Sequence, residues 1–249
     1  MSLLLSKEML NLESLERPFN EGGKWPSVRG ILFDVDGTLY RQPPLRARMI
    51  FELVKFTLSN PFRGVKTLRV LKAFRQNREA LRGAPGTQCS LEEIQYAQIA
   101  ARMKIPVTFV KEIVEEWIML RPLKHLKICR RRGIEDVLKH CRDNHIRVGA
   151  LSDYPTREKV KALGLRRWFD LHLCSTDPEI NMFKPSPVGI LLACKIWKLT
   201  PDELLYVGDQ LTIDGAAAEA AGARFVLVGH SQDCRHFAVR DFFELEGCL

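Results

Sequence analysis

Ile31-Leu32-Phe33-Asp34-Val35-Asp36-Gly37-Thr38-Leu39-Tyr40 places two aspartates, one residue apart, at the end of an apolar run. Val28 to Phe33 has the make-up of a strand buried on both faces. Acid inside such a run is costly unless a cation or a hydrogen-bond network compensates it. Asp34 is expected on the last strand residue and Asp36 in the loop just beyond. Residues two apart share a face, so both carboxyls should converge on one site, at the strand end where open α/β sheets bind their ligands. Gly37 permits a tight turn or a close ligand approach. The alternative is a plain Asp-Gly turn joining two strands of a hairpin.

Outward from this stretch the pattern divides. Upstream, Met1–Asn20 mixes Lys7, Glu8, Glu13, Glu16 and Arg17 with leucines, which suits a short amphipathic helix lying on the fold and not a signal peptide. Glu21-Gly22-Gly23-Lys24-Trp25-Pro26 reads as a loop. Downstream, Pro43-Pro44 breaks the pattern, and residues 45–120 read as helices only: Leu45–Ser59, Val65–Leu81, Leu91–Met103 and Pro106–Leu120. Ser90 with Glu93 has the spacing of a capping box, and Pro106 suits a helix start. From Ile134 strand and helix alternate. Strands are expected at Ile146–Leu151, Phe169–Cys174, Leu204–Val207 and Phe225–Val228, and helices at Ile134–Cys141, Thr156–Leu163, Pro187–Leu199 and Ile213–Ala221. Such alternation predicts an α/β fold with a doubly wound parallel sheet. The helical block is then an insertion after the first strand.

The chain has 249 residues, enough for one large domain or a core carrying an inserted module. No segment approaches the roughly 18 apolar residues of a membrane span. Seven scattered cysteines without a CxxC pair point to reduced thiols and a cytoplasmic protein. The net charge is +8, and residues 41–82 hold eleven basic against two acidic residues, so the whole surplus lies there. Arg63, Lys66, Arg69, Lys72, Arg75 and Arg78 recur every three residues, a spacing that precesses by roughly 60° per step around a helix. A solvated basic helix is one reading. Steering of anionic substrates, or docking on nucleic acid or an anionic membrane, is the other. Scant aromatic interleaving argues against sequence-specific nucleic-acid recognition.

Three expected strand ends present polar residues to one sheet edge: Asp34 and Asp36, then Ser152, then Asp209, with Asp214 five residues later. Lys184 precedes Pro185 in an intervening loop. Singly, Ser152 could be a helix cap, Lys184 a solvated loop lysine, and Asp209 and Asp214 a turn residue and a cap. Their chain order and shared placement argue for one site.

In this combination the sequence resembles the haloacid dehalogenase superfamily of hydrolases, in its phosphatase branch with a helical cap, like the phosphoglycolate phosphatases. The resemblance covers Gly30–Tyr40 and roughly Gly133–Gly229. It implies a Rossmann-like core and a Mg²⁺-dependent phosphatase of small phosphorylated metabolites. Asp34 would be the nucleophile, forming an aspartyl-phosphate. The Asp36 side chain would act as general acid and then base. Mg²⁺ would be held by Asp34, the Asp36 carbonyl, Asp209 and Asp214. Ser152 and Lys184 would bind phosphoryl oxygens. Asp36 argues against a dehalogenase, and Thr38 fits phosphatases better than sugar phosphomutases. Arg41-Gln42 departs from the acidic-serine pair of many relatives, which leaves the substrate open.

The resemblance further implies that the insert is a cap closing over the site. Its hinges are expected at Arg41–Pro44 and Arg121–Lys127. The division is then an N-terminal extension at 1–27, core at 28–44, cap at 45–125 and core at 126–249. Arg41 and Arg46 are candidate contacts to a second anionic group of the substrate. A phosphomutase on the same scaffold, or a non-catalytic binder of anionic partners through the basic cap, are the alternatives. Nucleic acid is not expected as a partner, and the oligomeric state is left open.

Overall fold

The computed structural model of the chain describes residues 28–84, 89–229 and 237–249. The expected helix at Met1–Asn20 and the loop at 21–26 lie outside these residues. Six strands form one sheet: β1 (Gly30–Phe33), β2 (Arg147–Ser152), β3 (Leu171–Cys174), β4 (Leu204–Gly208), β5 (Arg224–Val228) and β6 (Phe237–Val239). Their order is β3-β2-β1-β4-β5-β6, and every neighbouring pair is parallel. β1 therefore sits centrally between β2 and β4, and the hairpin reading of Asp36-Gly37 is excluded. The doubly wound sheet is the expected one.

Residue alternation on β1 divides the core. Ile31 and Phe33 face one side, packed with Leu126, Val137, Val160 and Phe242. Leu32 faces the other side with Tyr206, Ile190, Ala193 and Ala217. Apart from Tyr206 of β4, these partners belong to α5 (Leu123–Cys129), α6 (Ile134–Asp143), α7 (Arg157–Ala162) and α10 (Phe242–Cys248) on the first face, and to α8 (Val188–Trp197) and α9 (Ala216–Ala221) on the second. The buried residues of a third apolar cluster lie in the inserted helices, with Tyr154 of the loop after β2 packed against them. Val70, Phe74, Ile99, Val110 and Trp117 are its centre, carried by α2 (Pro61–Leu81), α3 (Leu91–Met103), α4 (Val107–Val114) and the π-helical turn Glu115–Leu120 that continues it. α1 (Gln42–Ser59) precedes them.

Several boundaries differ from expectation. Pro43 and Pro44 do not break the chain; they occupy the first turn of α1, where a missing N–H costs nothing. α2 likewise starts at Pro61. The expected exit hinge is largely helical, since α5 covers Leu123–Cys129. The two crossings between core and insert pair with each other: the Arg41 N–H donates to the Cys129 carbonyl at 2.9 Å and the Arg131 N–H to the Leu39 carbonyl at 3.1 Å. β6, α5 and α10 were not foreseen; each has seven residues or fewer, too few for periodicity to register.

Candidate active site

Asp34 follows the last residue of β1, and its N–H still donates to the Val207 carbonyl of β4 at 2.8 Å. Its carboxylate is buried. Oδ2 accepts the Thr38 hydroxyl at 3.0 Å, and Oδ1 accepts Lys184 Nζ at 2.7 Å. Lys184 also reaches Asp214 Oδ1 at 2.5 Å and Tyr206 Oη at 3.2 Å. Asp214 Oδ2 in turn accepts the backbone N–H groups of Asp209 and Gln210 at 3.2 and 3.1 Å, which fixes the loop after β4. Asp34, Asp209 and Asp214 each offer an oxygen within 4.8 Å of the others. Gly37 makes this possible, because a Cβ there would lie 2.0 Å from Asp209 Oδ2, and its φ of +111° suits glycine.

The two aspartates of the first motif take different hydrogen-bond partners. Asp36 turns to a separate group. Lys159 Nζ donates to both its oxygens at 2.6 and 2.7 Å, Ser152 Oγ donates at 2.8 Å, and the Tyr40 hydroxyl donates as well. The bend after Asp34 leaves strand geometry, so the alternation that predicted a shared direction no longer applies. Ser152 is thus held on Asp36. The Asp36 carbonyl, expected on a metal, accepts Gln42 Nε2 at 2.6 Å, which leaves its second lone pair.

The electrostatics follow the geometry. Burial, with Asp214 and Asp209 adding to it against Lys184, pushes Asp34 up to about 8. Burial and the Asp214 charge push Asp209 up to about 6. Burial would raise Asp36 too, but the Lys159 ammonium and the hydrogen bonds from Lys159, Tyr40 and Ser152 outweigh it, and its pKa is lowered. Asp34, Asp209 and Asp214 therefore form an under-neutralised acidic cluster. Asp209 Oδ1 is buried without a hydrogen-bond partner. An orphaned carboxylate oxygen facing two further carboxylates is a donor set that fits a hard divalent cation.

The inserted helices reach the same place. Arg82, just past α2, donates from one nitrogen to Asp153 Oδ2 at 2.7 Å and to the Lys184 carbonyl at 2.5 Å. The Arg78 guanidinium lies 4.5 Å over the Tyr154 ring, which also stacks on Phe74 at 6.4 Å. Arg41 and Arg46 are exposed. Arg46 donates to Gln42 and so reaches the site only through that amide. Lys159, Tyr40 and Arg82 escaped the sequence reading. Lys159 left one signal, a lysine on the helix that directly follows the Ser152 strand.

The sequence model of the family described as haloacid dehalogenase-like hydrolase matches residues 28–222. The chain belongs to that family. A phosphoglycolate phosphatase of Salmonella paratyphi A is 26% identical over 216 residues, covering 80% of each chain. The solved structure of a phosphatase of this family from Thermococcus onnurineus superposes with a TM-score of 0.58 at 20% identity, over 87% of this chain and 95% of that one. The L-2-haloacid dehalogenase from Xanthobacter autotrophicus superposes with a TM-score of 0.59 at 16% identity, over 88% and 97%. One fold thus carries two chemistries, and the site has to separate them. The expected class, a phosphohydrolase of the haloacid dehalogenase-like family, stands on the family match and these relatives.

Proposed function

We propose that this haloacid dehalogenase-like hydrolase is a Mg²⁺-dependent phosphatase of small phosphorylated metabolites that works through an aspartyl-phosphate on Asp34. The observation that carries the reading is the buried cluster of Asp34, Asp209 and Asp214 around Lys184. These three carboxylates would hold the cation, which when bound neutralises charge between carboxylate and phosphate dianion. Thr38 orients Asp34 by its hydrogen bond to Oδ2. An Asp34 oxygen attacks phosphorus as the bond to the leaving oxygen breaks, and water later releases phosphate from the aspartyl-phosphate. Lys184 sits where it can exchange an aspartate for a phosphoryl oxygen. Asp36 stands here as a carboxylate, the form that takes the proton from the attacking water. To protonate the leaving oxygen, Asp36 must first take up a proton, which requires the substrate to displace the hydrogen bonds that Lys159 and Tyr40 now make to it.

We read residues 45–125 as the cap and residues 28–44 with 126–249 as the core. The separate apolar cluster around Phe74 and Trp117 supports this division. The buried thiols Cys129, Cys141, Cys174 and Cys194 suit a reducing, cytoplasmic setting. Phosphoglycolate is the first ester to try, on the strength of the named relatives.

The experiment is phosphate release from a panel of small esters including 2-phosphoglycolate, with Mg²⁺ or EDTA, for wild type and Asp34→Asn. Metal-dependent turnover that falls by about 10³-fold or more in the variant is expected. Turnover indifferent to Asp34→Asn would overturn the mechanism. Phosphate conserved in a rearranged product would favour the phosphomutase.

A further inference from the structure

The inserted helices carry a surface that the site does not use. α1 and α2 form a helical hairpin joined by Asn60 alone. At its turn the most apolar side chains point outward: Leu58 is 78% exposed and Phe62 is 90% exposed. Ile50, Phe51 and Val54 continue this exposed face along α1. With Leu58 they fall within roughly 100° of helix arc, while Leu45, Leu53 and Phe56 turn inward to the cores. The hairpin is narrow, because Gly64 lets α2 cross so close to α1 that a Cβ there would lie 2.6 Å from Thr57 Cα.

The charges around this face have one sign. Arg48, Lys55, Arg63, Lys66, Arg69 and Lys72 are all exposed. The single acid between Arg41 and Arg78, Glu52, is turned away and held by Lys124 at 2.8 Å and His125 at 2.5 Å. Exposed leucine and phenylalanine on a solvent face mark an interaction surface. Exposed apolar side chains ringed by lysine and arginine fit an interface that is anionic outside and hydrocarbon within. A second copy of the chain would set two strongly basic surfaces against each other. Nucleic acid would satisfy the charges and leave Leu58 and Phe62 in water.

We propose that the α1–α2 hairpin docks on an anionic lipid bilayer, with Phe62 and Leu58 entering the headgroup–acyl boundary and the flanking lysines and arginines on the lipid phosphates. The docking is peripheral, since among the described residues no helix is long and apolar enough to cross a membrane.

The test is sedimentation of the full chain with vesicles of phosphatidylcholine alone or mixed with phosphatidylglycerol, at about 0.1 M and about 0.5 M salt. Binding to the mixed vesicles that weakens at high salt is expected. Phe62→Ser should weaken it about tenfold, and Lys66→Ser with Arg69→Ser about thirtyfold. Both variants should retain wild-type far-ultraviolet circular dichroism and wild-type turnover of soluble ester, which separates lost docking from lost folding. No binding to the mixed vesicles at low salt would overturn the proposal, as would equal binding to neutral vesicles. It would equally fail if Phe62→Ser instead abolished a concentration-dependent dimer, or if duplex DNA competed the chain off vesicles and bound regardless of Phe62.

Discussion

Asp34 and Asp36 are two residues apart and chemically opposite. Burial among carboxylates lifts one, and a lysine clamp lowers the other. Two carboxylates driven apart in this way can divide nucleophile from acid–base work. Against burial, Lys159, which donates to both Asp36 oxygens, is the largest cause lowering the Asp36 pKa, and on the proposed mechanism it is a positioning residue. Lys159→Met is expected to lower kcat about 10²-fold and, by stranding the Asp36 carboxylate, to cost about 1–3 kcal/mol of stability in urea unfolding. Lys159→Arg should recover part of the rate; a variant with unchanged kcat would remove Lys159 from the account. Asp209 gives the complementary prediction. Mg²⁺ should raise the Tm of the wild-type protein because it binds the folded state alone, and Asp209→Asn should abolish most of that rise without any substrate present. At this scale Asp34, Asp36, Ser152 and Asp209 could be picked out from strand ends, and Lys184 and Asp214 from their order in the chain beside them. That Lys159 contacts Asp36 across 123 residues could not, because only packing brings them together.

Among the elements, α2 has two ends with different tasks. Its N-terminal half exposes Arg63, Lys66 and Arg69, as a solvated basic helix would. Its C-terminal end does not, since Arg78 and Arg82 lean on Tyr154, Asp153 and the Lys184 carbonyl. Arg82→Ala should lower stability by about 1–3 kcal/mol, leaving Asp153 to Ser175 and the Lys184 N–H. Because Arg82 also holds the backbone of Lys184, KM for the ester should rise in the same variant. Steady-state kinetics beside thermal denaturation checks both. α10 shows what the sequence held unread: Asp241 caps it by accepting the N–H groups of Phe243 and Glu244 at 3.0 and 3.3 Å, a signature legible in Asp-x-x-Glu spacing.

For the whole molecule, burial opposes ionisation of Asp153, yet Lys184 and Arg82 together hold its pKa below the usual carboxylate range. The folded state then binds fewer protons than the unfolded one in acid. The stabilisation is fully present above the ordinary aspartate pKa of about 3.9 and is lost as pH falls through the lowered folded value. Tm measured against pH should therefore drop below about pH 4, and Asp153→Asn should flatten that drop while lowering Tm at neutral pH. An equally steep acid limb in the variant would assign the loss to other carboxylates.

The sequence by itself determined the parallel α/β core and the helical block after its first strand, and it singled out polar residues at three strand ends with Lys184 and Asp214 in the loops nearby, because period, chain order and residue type are local properties that survive without coordinates. It also located the basic surplus in residues 41–82. Only the tertiary structure decided which lysine meets which aspartate, that Asp36 and Asp34 take separate hydrogen-bond partners, and that Phe62 and Leu58 face outward among the charges. Those outcomes depend on where helices pack on the sheet and on each other, and a helical sequence with apolar residues on two faces does not say which face the core will take.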